Sequence, residues 1–245
     1  QDDITPQEGE RLWSFEPIAG KIVEKLPDET LRQGFEIHIP DNGDMADDIE
    51  AYCEDRDIEG AFRLALKQER AMGGSALYCP IIDGKAQDEP LNINNISSIG
   101  PPVALDCLEL QVSTYQPDIT LPGYGKPELY RFSPRGVANS TGAPTLIHAS
   151  RLIIFPGIQT SKFMQRTRTG APGWGFSVLG RVYDVLKKFN LGWGSAANML
   201  SDFAQTVLKI KGLALLAGAN EKAEIQQKLL EQDLYRSVMR MMVLD

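Results

Sequence analysis

GAPGWGFSVLGRVYDVLKKFNLGWGSAANMLSDFAQTVLKIKG, residues 170–212, is the stretch whose reading decides the fold. It opens with a Pro/Gly loop around Trp174. Apolar residues then recur at Leu179, Val182, Leu186, Phe189, Trp193, Ala196, Leu200 and Phe203. Steps of three and four place all of them on one stripe of a helix. Ser177 is the expected N-cap, because its hydroxyl can accept from the free amides of the first turn. Unbroken from Phe176 to Phe203, the helix would run roughly 42 Å at about 1.5 Å per residue. Gly192 and Gly194 each cost roughly 1 kcal/mol against Ala and suggest a kink or a close contact. A helix of this length with so narrow a stripe needs neighbours, which either the core of one monomeric domain or equivalent helices in a ring would supply.

The rest of the chain reads as alternating helical and β segments. Residues 12–37 give a short helix, a turn at Pro27-Asp28, a second short helix and a strand, with Trp13, Ile18, Ile22, Val23 and Leu26 as the buried face. Residues 41–74 are mostly helical, with acids at the start and Arg63, Lys67 and Arg70 towards a stop at Gly73-Gly74. Residues 75–83 read as a strand and 84–102 as a Pro/Gly/Asn-rich loop. Residues 105–115, 128–133 and 145–155 read as three strands of an antiparallel insert joined by turn-forming segments. After the long helix, 206–212 reads as a strand and 220–244 as a closing helix whose stripe includes Leu230, Met241 and Met242.

Charge is uneven. The net is −8 over 245 residues. Residues 1–60 hold 18 Asp/Glu against 5 Lys/Arg, a balance of 5 − 18 = −13, and residues 151–188 hold 7 Lys/Arg against Asp184 alone, a balance of 7 − 1 = +6. One surface should repel polyanions and another can meet them. The candidate phosphate contacts are Arg166 and Arg168 in the loop before the helix, and Arg181, Lys187 and Lys188 on its first half. No pattern for base-specific reading accompanies them. What they could do is touch phosphates weakly and without sequence preference.

Little catalytic chemistry is legible. His38 and His148 are isolated, in neither H-E-x-x-H nor H-x-T, and read as structural. There is no nucleophile elbow and no P-loop. The carboxylates Asp47, Asp48, Glu50, Glu54, Asp55 and Asp57 lack the glycine and spacing of an EF-hand and read as solvated helix surface. Cys53, Cys79 and Cys107 form no C-x-x-C pair, and their odd number argues against a disulfide framework. No cofactor, no metal and no enzymatic activity are expected. With no apolar run of membrane-spanning length, no membrane partner is expected either. The chain starts without Met and stops in mid-pattern, so both ends are expected to be cut.

The order of IHASRLI (147–153), WGFSVLGRVYD (174–184), SAAN (195–198), VLKIKGL (207–213), RS (236–237) and VLD (243–245) resembles the portal proteins of tailed bacteriophages. The first 105 residues match only in outline, through an acidic helix followed by GGSALY (73–78). The resemblance implies an α+β fold: a mixed α/β wing, a stem of helices and a β-rich clip. On this chain it places the wing at 1–104, the clip at 105–155, a basic loop and long stem helix at 156–205, and a return to the wing at 206–245. Leu179, Val182, Leu186, Phe189, Trp193 and Leu200 would pack the stem against neighbouring subunits. The implied assembly is a ring of about twelve subunits at one vertex of the capsid, assembled in the host cytoplasm. It would conduct double-stranded DNA during packaging and ejection. The implied partners are the large terminase (the packaging ATPase), a tail adaptor, and the major capsid and scaffold proteins. Some relatives of this family carry a fused cyclic-nucleotide phosphodiesterase domain with H-x-T pairs, which this chain lacks. The competing readings are a metal- or nucleotide-dependent hydrolase using the acidic clusters, and a protein-interaction module with a portal-like core that forms no ring.

Overall fold

The structure, a computed structural model, describes residues 4–35, 37–40, 43–121, 123–135, 145–203, 206–209 and 241–244, with side chains as far as residue 200. The chain is α+β and divides into two compact units, Gln1–Asp184 and Val185–Asp245.

The first unit is organised on one helix. α1 (Pro6–Phe15), α2 (Pro17–Thr30) and α3 (Gly43–Asp55) all pack on α4 (Ile58–Met72). Asp57 caps α4 by accepting from the Gly60 amide, and Gly73 ends it in the left-handed region at φ 85°, as the paired glycines lead one to expect. α1 crosses α4 at backbone contact, since a Cβ on Gly9 would overlap the Ala71 carbonyl oxygen. Thr5 caps α1, Glu16 caps α2, and each helix has proline in its first turn, where the missing N–H costs nothing.

The Pro27-Asp28 turn expected from sequence is absent. α2 runs through Pro27 to Thr30. Proline inside a helix removes the N–H that would bond the carbonyl four residues back, here Val23. Arg70 of α4 supplies replacement donors: Nε to the Val23 carbonyl at 3.1 Å and Nη2 to the Ile22 carbonyl at 2.7 Å. With the helix continuous, its buried positions are Ala19, Val23 and Pro27, not the Ile18/Ile22/Leu26 face. No strand follows among described residues 37–40.

Beneath α4 lies a small antiparallel sheet with β1 (Ser75–Tyr78) between β4 (Val103–Asp106) and β8 (Leu152–Phe155). Ala76 faces both Leu105 and Ile154 in register. Pro80 follows β1, and Ile81–Ile82 (β2) pairs with Ser98–Ile99 (β3). A second antiparallel sheet orders β5 (Leu110–Tyr115), β6 (Pro127–Phe132) and β7 (Thr145–His148).

The strands read at 105–115 and 145–155 are therefore each two strands, in different sheets. Asp106 causes the first break: its carboxylate accepts the Leu108 and Glu109 amides at 2.7 and 2.9 Å, turning the chain after β4. A 3-10 turn, Ala149–Arg151, makes the second. β4 and β8 thus belong to the α4 layer, and the three-stranded insert is β5–β7.

PGWGFS joins these layers. Trp174 is 2 % exposed, lies 5.6 Å from Tyr130 between ring centroids, and donates its indole N–H to the Leu110 carbonyl at 2.8 Å. Side chains would block the approach: a Cβ at Gly74 would strike the Trp174 ring, and one at Gly157 the Gly73 carbonyl. Ser177 donates to the Arg70 carbonyl and accepts from the Leu179 amide. It caps a 3-10 turn, Val178–Arg181, and the α-helix α6 starts only at Tyr183 and ends at Phe203. The unbroken helix expected from Phe176 is therefore shorter, about 32 Å at 1.5 Å per residue. Its expected first turn is used to bury Leu179 (0 % exposed).

In the second unit, which contains α6 from Val185 onward, Thr206–Lys209 (β9) pairs in parallel with Met241–Leu244 (β10). The closing helix expected at 220–244 is corrected at its end, because Met241 and Met242 are in a strand. Its remainder lies outside the described residues.

Candidate functional site

The apolar stripe divides at the start of α6. Leu179 and Leu186 are buried, at 0 % and 6 % exposure. Beyond them the stripe is bare: Phe189 is 52 % exposed, Trp193 71 % and Leu200 71 %. Val182, before α6, is half-buried. Phe189 and Trp193, one turn apart, stack with centroids 6.3 Å apart and planes 9° from parallel. Gly192 and Gly194 face open space, with nothing near a Cβ built on either. They therefore make no close contact among the described residues. Large exposed apolar side chains in one line form a patch of the kind found at interaction sites.

The five candidate phosphate contacts do not form one group. Arg181 ends the 3-10 turn and is exposed, while Lys187 and Lys188 are exposed on the first turns of α6. Helical spacing sets both lysines off the apolar stripe. Arg166 ends α5 (Lys162–Arg166) and lies over the Tyr115 ring, 4.7 Å from its centroid. Lys162, which the sequence reading missed, sits 5.7 Å from the Tyr124 ring. Burial pushes the Tyr115 hydroxyl above its ordinary pKa, against the opposing pull of Arg166. This is a cation-on-tyrosine arrangement at one end of the β5–β6 pair.

Arg168 is a correction. It is 4 % exposed and donates to the Gly175 carbonyl and, at 2.9 Å, to the Met72 carbonyl, with its guanidinium 5.2 Å from the Phe176 ring. It ties the PGWGFS segment to the end of α4 and has no surface to offer a phosphate. Sequence alone cannot separate it from Arg166, because both stand in one polar loop.

The buried polar site that the sequence reading missed is Asp83 with Arg151. Arg151 is the arginine of IHASRLI, and its place directly before the apolar run LIIF is the signal that was available in the sequence. It donates to both carboxylate oxygens of Asp83 and, through Nε, to the Glu89 carbonyl at 2.9 Å. Asp83 also accepts the Lys85 and Asn92 amides, and Ser150 accepts the Leu91 amide. The motif thus clasps the loop after β2. His148 belongs to the same clasp, its Nδ1 accepting from the Ser150 amide.

No catalytic arrangement emerges from the strongly perturbed groups. Amide donors hold Asp83 down, and burial pushes the Cys107 thiol up to about 12 and the Tyr130 hydroxyl upward. Each has a packing partner that accounts for it. Asp47 and Asp48 point to solvent on α3. An acidic cavity of about 380 Å³ lies between Phe35, Glu50, Glu54, Asp57 and Glu59. Among the described residues, no three His, Cys, Asp or Glu side chains form a group able to hold a metal ion. Among the same residues, no helix is long and apolar enough to cross a membrane.

The chain is 26 % identical over 247 residues to the anti-CBASS protein Acb1 of Caulobacter sp. (strain RHG1). That match covers 98 % of this chain and 37 % of the relative, so the chain spans little more than a third of that protein's length. The family described as phage portal protein matches residues 7–245, nearly the whole sequence. The chain belongs to the phage portal protein family.

Proposed function

We propose that this chain is a portal subunit of a tailed phage. In this reading it assembles as a ring at one capsid vertex, and double-stranded DNA passes through the ring during packaging and ejection. α6 is the stem helix, β5–β7 the clip that docks the packaging ATPase and later a tail adaptor, and the helices on α4 the wing. Family membership supports the reading, but the observation that carries it is the bare stripe Phe189–Trp193–Leu200. Covering a large side chain of this kind stabilises by about 1.5–3 kcal/mol each, and equivalent helices in a ring cover it symmetrically.

The role is mechanical. In this reading the exposed Arg166, Arg181, Lys187 and Lys188 meet the DNA. Few phosphate contacts keep salt-dependent affinity low, so the duplex slides instead of sticking.

Native mass spectrometry and sedimentation velocity on the chain test this. A closed ring of about twelve copies, lost in Trp193→Glu, is the expected result, with Trp193 fluorescence shifting to the blue on assembly. A native chain that stays monomeric at every concentration sinks the proposal. The anti-CBASS relative favours a second reading, a portal-like core acting as an interaction module without a ring. That reading requires a monomer that protects an infecting phage in a host carrying CBASS.

A further inference from the structure

The outer side of α2 carries an apolar groove of about 480 Å³ formed by Ile18, Ile22 and Leu26, with Lys21, Lys25, Glu29 and Arg70 along it. Leu26 is 58 % exposed and Ile18 37 %, on the side of the helix away from Ala19, Val23 and Pro27. Steps of four along α2 align these residues in one row. Neither Lys21 nor Lys25 has an ion-pair partner among the described residues. The groove is therefore apolar at its floor, and its rim sets Lys21, Lys25 and Arg70 against Glu29, a net positive charge.

α3 has the opposite character. Asp44, Asp47, Asp48, Glu54 and Asp55 are all exposed, and α3 contains no basic residue. Spacing of three, four and seven sets these acids on one face around Ala51, across the helix from buried Ala46. Met45 flanks them at 50 % exposure. An acidic face with a small apolar centre and one flexible apolar side chain suits a positive-rimmed apolar groove. No α3 residue of the same chain lines that groove.

We infer that the α2 groove receives the acidic face of α3 from a second copy of this chain. The contact joins two different surfaces, so it is head-to-tail and closes only by going round a ring. The inference rests on the ring reading above and gives it a second, charge-matched contact apart from α6.

Charge reversal on the full chain tests it, read by sedimentation velocity and native mass spectrometry. Lys21→Glu with Lys25→Glu, and separately Asp47→Lys with Asp48→Lys, should each raise the concentration for half-assembly at least roughly ten-fold. An equimolar mixture of the two variants should recover assembly, with the two masses alternating round the ring, which a misfolded variant cannot do. Raising salt from about 0.1 to 1 M, which shortens the screening length from roughly 10 to 3 Å, should weaken the native assembly. If the native chain forms rings and both variants assemble as well as it does, the α2–α3 contact is overturned while the ring stands; a different acidic partner in the groove would give that result. Variants that fail alone and also fail when mixed overturn it too. A native chain that never assembles removes the ring reading and this contact together.

Discussion

Arg151 and Asp83 form a buried ion pair across 68 positions of sequence, with Nη2 at 3.1 and 2.9 Å from the two carboxylate oxygens and side-chain exposures of 1 % and 0 %. The pair joins the turn between β7 and β8 to the loop after β2. Breaking one side leaves a charge in a site built for two, which is worse than losing both. Arg151→Met should therefore lower the melting temperature by several degrees, and Arg151→Met with Asp83→Asn by less. Differential scanning calorimetry on the three chains decides it. A double variant that melts below the single one would show that the carboxylate is not the problem.

The same pair gives an acid signature. Asp83 is held at about 2, first by the Asn92 amide, against burial, and then by the Lys85 amide and Arg151. A carboxylate whose folded pKa lies below its unfolded value adds stability above the unfolded value, near 3.8, and loses it as pH falls through the folded one, near 2. Protection of the Lys85 and Asn92 amides, taken relative to intrinsic exchange at each pH, should hold at pH 4 and above and fall between about pH 4 and 2. Asp83→Asn should remove that dependence. Protection unchanged down to pH 2 in the native chain would count against the hydrogen-bonded carboxylate.

Arg70 and Pro27 should be coupled. Arg70→Ala leaves the Val23 and Ile22 carbonyls without their guanidinium donors, at a cost of about 2 kcal/mol. Pro27→Ala restores a backbone N–H to the Val23 carbonyl. In that background Arg70→Ala should cost about 1 kcal/mol less. Urea denaturation of the four chains measures the difference, and simple additivity would refute the donor exchange.

Arg166 and Arg168, two residues apart, should behave oppositely. Arg168→Ala strips donors from the Gly175 and Met72 carbonyls and should cost about 3 kcal/mol, with little rescue by lysine. Arg166→Ala at the surface should stay within about 0.5 kcal/mol of native. If Arg166 meets phosphate, its removal should lower the salt slope of DNA binding by roughly one. Equal destabilisation by both would contradict the burial difference.

How much was legible varies from residue to residue. The Gly73 helix stop and the Ser177 cap follow from conformations that only a few residues favour, and sequence reports those directly. Pro27 misled because its usual effect was offset by Arg70, which is 43 positions away in sequence. Residues 105–115 and 145–155 looked like single strands because strand-forming apolar residues stand on both sides of each break with no Gly or Pro between them, while the turns come from Asp106 and from residues 149–151.

By itself the sequence determined the α+β composition, the acidic helices, the apolar stripe and the motif order shared with phage portal proteins. These are properties of spacing and residue type, and they survive any arrangement of the chain. Only the tertiary structure decided which half of the stripe is bare, which arginine is buried and which carboxylate Arg151 meets. Each of those depends on contacts between segments far apart in sequence, where burial and competing donors outweigh local preference.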